Sequence, residues 1–291
     1  MATMADTTLK QFMNHSRRWR ENFYVYPVIS RRSRGLSIGV NLNPDKACNF
    51  DCVYCQVDRS KAPPIREVDL DRLGEELGVM MELARSGELY EDEMFSDVPS
   101  ELRRINDIAF SGDGEPTTCK WFFECVELVA SAKRQAGLFQ TKIILITDAC
   151  YLTKPDVVKA LAMMDQNEGE IWAKLDAGTE EYYQRVNRPN FPLAHVIENI
   201  KATARVRPVV IQSLFMKLAG AGPDESEVGA FCDRLNEIRN AGGKISYVQV
   251  YTIARPPAED FVMPLSNHHV DRIVSLVEQR AKVRAIAFYG G

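Results

Sequence analysis

Three cysteines within eight residues constrain this chain more than any other feature. They stand in Lys46-Ala47-Cys48-Asn49-Phe50-Asp51-Cys52-Val53-Tyr54-Cys55, a C-x3-C-x2-C spacing directly after an apolar run at 36–42. Three thiolates on one tight loop can ligate three irons of a [4Fe–4S] cluster, leaving the fourth iron open to a small molecule. A structural zinc site normally takes four protein ligands, and no second CxxC or CxH pair lies nearby to complete one. The chain holds seven cysteines, an odd number, four of them scattered. A disulfide framework is therefore not expected, and Cys119, Cys125, Cys150 and Cys232 read as buried free thiols.

The N-terminus lacks the apolar core of a secretory signal, and no run approaches the roughly 18 apolar residues of a membrane span. A cytoplasmic protein with no membrane partner is expected. Hydrophobic residues make up 45% and charged residues 26% of 291 positions, which suits a folded α/β chain. Charge is uneven: residues 1–34 carry a net +5 and residues 35–291 a net −9. Residues 1–34 read as a basic arm or cap, and 35–291 as one domain. In the arm Arg17, Arg18 and Arg20 interleave with Trp19, Phe23, Tyr24 and Tyr26. Such a segment either stacks bases and meets phosphates or packs on the body.

Apolar, β-rich runs alternate with amphipathic segments along the body. Strands are expected at 36–42, 105–111, 142–147, 171–176, 208–215 and 247–253, with a further candidate at 283–290. Several lack strict alternation, as strands covered on both faces do. Helices are expected at 69–86, 120–136, from Thr153-Lys154-Pro155 onward, 179–186, 193–205, 224–240 and 266–281. The acidic stretch 87–100 reads as a surface loop. Six β–α units imply a parallel sheet with helices outside, too few for a closed eight-fold barrel, so a partial (β/α)6 barrel is expected. Chemistry then belongs at the carboxyl ends of the strands.

A second motif, Phe110-Ser111-Gly112-Asp113-Gly114-Glu115-Pro116-Thr117, sits at the end of the second expected strand. Its glycines permit close backbone approach, and its carboxylate can accept from an ammonium. With the cysteine loop, this motif resembles the radical S-adenosylmethionine (radical-SAM) superfamily. There the spacing holds a [4Fe–4S] cluster, and S-adenosyl-L-methionine (AdoMet) chelates the open iron. The resemblance implies that Cys48, Cys52 and Cys55 are the metal ligands. It also implies that Tyr54, Gly112, Asp113, Gly114 and Glu115 meet AdoMet. By topology, Thr147, Asp176 and Gln212 join the cofactor site, and Lys174 and Arg255 face the substrate. Asp148, Ser213 and Thr252 are further strand-end candidates. Lys174 and Asp176, at i, i+2 spacing, share one face and pair structurally or serve the site. An external electron donor of flavodoxin or ferredoxin type is implied.

The stretches SIGVNLNP at 37–44, KLDAGT at 174–179, NRP at 187–189 and VQVYTIARPP at 248–257 resemble wyosine [tRNA(Phe)-imidazoG37] synthetase-like proteins. Those enzymes carry a second cluster on cysteines upstream of the radical motif, whereas no cysteine precedes Cys48 here. The resemblance therefore implies radical-SAM chemistry, with tRNA the first substrate to consider. A peptide or small-metabolite substrate is the alternative. A non-catalytic Fe–S protein is disfavoured, since electron carriers normally use four protein ligands.

Overall fold

The computed structural model describes Leu9, Gln11 and residues 19–290. Its centre is an eight-stranded sheet in the order β1-β2-β3-β4-β5-β6-β8-β10. The strands are β1 (Val25–Ser30), β2 (Gly35–Val40), β3 (Ile105–Phe110), β4 (Lys142–Thr147), β5 (Gly169–Lys174), β6 (Val209–Leu214), β8 (Ile245–Tyr251) and β10 (Ala285–Phe288). All neighbours from β2 to β10 run parallel, and β1 alone is antiparallel, to β2. Between the parallel strands lie helices α1 (Leu70–Ser86), α2 (Phe122–Gln135), α3 (Pro155–Asp165), α4 (Glu180–Asn187), α5 (Leu193–Val206), α6 (Glu225–Asn240) and α7 (Asn267–Arg280). The sheet curls into a half-barrel with these helices outside, the α/β partial barrel expected from the strand–helix alternation.

The parallel strands are covered on both faces, and β2 and β6 are buried at every position. That is why their sequences show continuous apolar runs. The candidate at 283–290 becomes β10, so seven strands run parallel. A small antiparallel pair, β7 (Met216–Leu218) with β9 (Val262–Pro264), was not foreseen. Helix starts follow capping chemistry, since Asp69, Thr179, Asp224 and Ser266 each accept a backbone N–H in the first turn. Thr153 does not cap α3. Its hydroxyl donates to Asn199 Oδ1 at 2.8 Å, and Pro155 opens the helix after Lys154.

The basic segment 1–34 contributes more than an arm. Its residues 25–34 form β1 and the turn into β2, and Trp19, Tyr24 and Tyr26 are buried in the core. Trp19 packs edge-on against Phe95, and the Arg72 guanidinium covers Phe23. These rings are spent on packing, the second of the two readings. Arg17 and Arg18 lie outside the described residues, while Arg20 stacks on Trp19 and pairs with Asp92 at 3.6 Å. The stretch 87–100 is likewise not a plain surface loop. Leu89, Tyr90, Phe95 and Val98 are buried beneath two short 3-10 turns.

Glu76 on α1 ties β1 to the body. Its buried carboxylate accepts from the backbone N–H groups of Phe23, Tyr24 and Val25 at 2.9, 2.8 and 3.1 Å, and from Arg72 Nε at 3.0 Å. Glu76→Ala strips the acceptor from several buried donors at once. It is expected to cost about 3 kcal/mol in denaturant unfolding and to speed hydrogen exchange of the Tyr24 amide. Unchanged stability would show that β1 is held by sheet pairing alone.

Candidate active site

The loop from Lys46 to Cys55 leaves the carboxyl end of β2 and turns over the mouth of the half-barrel. Beneath it opens a cavity of about 330 Å³. Of the residues expected to hold metal, cofactor or substrate, all but Asp176 line this cavity: Cys48, Cys52, Cys55, Tyr54, Gly112, Asp113, Gly114, Glu115, Thr147, Lys174, Gln212 and Arg255. Asp176 lies behind the wall, 2% exposed. Asp148 and Thr252 also line the cavity, while Ser213 does not.

The glycines of the second motif serve close packing between loops. A Cβ on Gly114 would lie 1.9 Å from the Ala47 carbonyl oxygen, and one on Gly112 would lie 2.3 Å from Asn41 Oδ1. Only glycine lets the loop after β3 press against the cysteine loop. Glu115 N donates to Ala47 O at 2.9 Å at the same place. The Glu115 carboxylate is 2% exposed and already engaged. Oε1 accepts from Thr117 N (3.1 Å), Thr117 Oγ1 (2.5 Å) and Thr147 Oγ1 (2.7 Å), and Oε2 accepts from Asp148 N at 2.7 Å. Glu115 thus stitches the ends of β3 and β4 together as well as lining the wall. Asp113 is held by Asn41, whose amide donates to its carboxylate at 2.8 Å.

A second network supports Tyr54. Its hydroxyl donates to Asp176 Oδ2 and accepts from Lys174 Nζ at 2.6 Å. Lys174 and Asp176 stand 3.6 Å apart, so the i, i+2 pair does share a face. Burial pulls the Lys174 ammonium down, but Asp176, Tyr251 and the thiols outweigh it and leave it raised. It is therefore charged at neutral pH. Asn187, fully buried, donates from Nδ2 both to Asp176 at 2.9 Å and to Cys52 Sγ at 3.4 Å. Arg59 Nη1 donates to Cys55 Sγ at 3.3 Å. Gln212 donates to Gln249 Oε1 at 3.1 Å on the neighbouring strand. Arg255 reaches back to Gln56 Oε1 at 3.0 Å, next to the third cysteine.

Two of these supports escaped the sequence reading. Asn187 sits in the quoted NRP stretch and Asn41 in SIGVNLNP, but neither suggested a partner. The only available signal was a polar amide at an element end.

The donor set fits an iron–sulfur cluster. Three thiols share one wall of a cavity, and N–H donors point at two of the sulfurs, as they do around thiolate ligands. Among the described residues, no three His, Cys, Asp or Glu side chains gather about a single ion. A cubane does not require this, since each thiolate meets a different iron. Burial, with Asp148 nearby, pushes the Cys48 thiol up to about 12. Burial pushes Cys52 up to about 11 against the opposing Lys174. Metal binding must therefore displace protons from both.

The solved structure of TYW1 with a lysine-pyruvate adduct bound superposes with a TM-score of 0.53 at 12% identity, over 87% of this chain and 75% of that one. That likeness shows the fold, an α/β partial barrel shared with TYW1. No protein-family model matches the chain. The chain is 24% identical to UPF0026 protein MJ1312 of Methanocaldococcus jannaschii, over 91% of its own length and 75% of the relative's. It is 25% identical to a UPF0026 protein of Helicobacter pylori J99, over 79% of its length and 66% of the relative's. A quarter to a third of each relative therefore lies outside the match. No helix among the described residues is long and apolar enough to cross a membrane.

Burial, with Asp148 beside it, pushes the Glu115 carboxyl from its ordinary 4.5 up to about 8. Between these values the folded metal-free chain keeps a proton that the unfolded chain has released. Its contribution to stability is thus full below pH 4.5 and lost as pH rises through about 8. Glu115→Gln cannot titrate and should flatten this decline, by up to roughly 5 kcal/mol for a shift from 4.5 to about 8, read from urea melts across the window. An unchanged slope would assign the decline to another group.

Proposed function

We propose that this chain is a radical-SAM enzyme. The observation that carries the reading is the meeting of two motifs in one cavity. The thiols of Cys48, Cys52 and Cys55 and the Gly112–Glu115 loop line the same space, at the carboxyl ends of parallel strands in this fold. Cys48, Cys52 and Cys55 would hold a [4Fe–4S] cluster. When bound and reduced, such a cluster supplies the electron that cleaves AdoMet to methionine and a 5′-deoxyadenosyl radical, which takes a hydrogen atom from substrate.

The chain's own residues prepare that site. Asn187 and Arg59 aim N–H groups at Cys52 and Cys55. Lys174, kept charged by Asp176, places a cation beside Tyr54 under the cysteine loop. It favours an anionic group there and is a poor amine nucleophile while protonated. Gly112 and Asp113, held by Asn41, offer backbone and carboxylate to a ligand in the cavity.

Likeness to wyosine synthetases makes a tRNA base the first substrate class. The adduct named for TYW1 concerns that protein, and the chain here has no cysteine before Cys48. The net −9 of residues 35–291 favours a second reading, a small metabolite or peptide.

Anaerobically reconstituted protein should carry about four irons per chain. Replacement of Cys48, Cys52 and Cys55 together by Ala should abolish the charge-transfer absorbance and the iron. A triple variant that retains a full cluster would contradict the ligand assignment. Deuterated tRNA supplied with AdoMet and reductant should yield deuterium-labelled 5′-deoxyadenosine. Label arriving only from deuterated small molecules would select the second reading.

A further inference from the structure

The half-barrel lumen holds a cation that no group among the described residues pairs. Arg32 lies in the turn between β1 and β2, and its guanidinium sits 5.4 Å from the ring centre of Trp172 on β5 and 5.4 Å from that of Tyr251 on β8. It lines the same cavity as the cysteines. Among the described residues its guanidinium makes no hydrogen bond and no ion pair. A cation–π contact uses the charge of a guanidinium and none of its N–H donors, which stay available.

The backbone that carries Arg32 is fixed. Asn106 Nδ2 donates to Ser33 O and Arg34 O at 2.5 and 2.8 Å, and Arg34 N donates to Ser30 O at 2.8 Å. Arg31 donates to Tyr289 O, joining the turn to the segment after β10, the opposite edge strand. Arg32 is therefore presented by a locked turn.

The other lumen charges are accounted for. Lys174 pairs with Asp176 at 3.6 Å, and Glu170 pairs with Lys142. Asp107 on β3 remains, 1% exposed, taking a hydrogen bond from Ser37 while its Oδ2 has no partner. It makes no ion pair with Arg32, though it feels the positive charge.

We infer that Arg32, held between Trp172 and Tyr251, is the anchor for a carboxylate or phosphate group on a small substrate. An anion with two oxygens in one plane matches the fork of N–H donors on a guanidinium. The inference rests on the radical-SAM reading for the meaning of "substrate". It names the chemical class that the lumen selects, where the upstream hairpin supplies a guanidinium and no cysteine.

Trp172 reports on the site directly. In a Trp19→Phe, Trp121→Phe background it is the sole tryptophan. Its emission is to be titrated with inorganic phosphate and, separately, with acetate at constant ionic strength. A saturable change with either anion is expected, and the anion that acts identifies the group. Arg32→Gln should weaken that binding about tenfold or more. Asp107→Asn, which removes a like charge from the lumen, should tighten it about threefold or more. A wild-type lumen silent to both anions overturns the inference, as does Arg32→Gln binding unchanged or Asp107→Asn failing to tighten. Iron is counted in the same preparations. Iron present with no anion response defeats the anchor alone, whereas an anion response without iron defeats the radical-SAM reading alone.

Discussion

A loop without regular secondary structure cannot hold three thiols in register by its own backbone. Here neighbouring segments hold it by hydrogen bonds on every side. Glu115 N donates to Ala47 O, Asp51 N to Asn187 O, Val53 N to Val186 O, and Asn190 N to Asn49 O. The Asn49 side chain donates to Asp148 at 3.0 Å. The contact at Ala47 depends on glycine at 114, because no side chain fits in that gap. The second motif and the NRP stretch are thus structural partners of the cysteine loop, quite apart from any ligand. Loops that carry chemistry are commonly positioned this way by a rigid scaffold.

The same economy governs the buried charges. A carboxylate taken from water is costly unless donors surround it. Glu115 has four donors, and Asp176 has Leu214 N, Asn187, Tyr54 and Lys174. These two carboxylates join strand ends that would otherwise splay under the open mouth. Their side chains fix the shape of the cavity wall, and the thiols inherit that shape.

Much of this was legible in sequence because the physics is local. Seven apolar runs on a buried parallel sheet announce themselves without long-range knowledge, and the cysteine spacing is a local fact. The strand at Val25–Ser30 was missed because Pro27 interrupts it and basic residues flank it. Proline is tolerated there because β1 is the sheet's edge. In the 87–100 stretch, four buried side chains at irregular spacing produce no periodicity amid acidic residues. Asn187 and Arg32 were silent for another reason. Each acquires its meaning from partners on distant strands, Cys52 and Asp176 for one, Trp172 and Tyr251 for the other. A single sequence does not encode that juxtaposition visibly. Glu115 shows the converse, since its motif marked the cavity wall while the carboxylate's second part, bracing the ends of β3 and β4, depends on partners that only the fold brings near.

The central claim is that the cysteine loop and the glycine motif form one reductive AdoMet site. Its most direct test is the anaerobic incubation of reconstituted protein with AdoMet and a strong reductant, with 5′-deoxyadenosine and methionine quantified together. The account predicts both products in equal amounts, lost on Cys52→Ala while the folded state persists by circular dichroism. Fully loaded wild-type protein that binds AdoMet but releases neither product under reduction would contradict it.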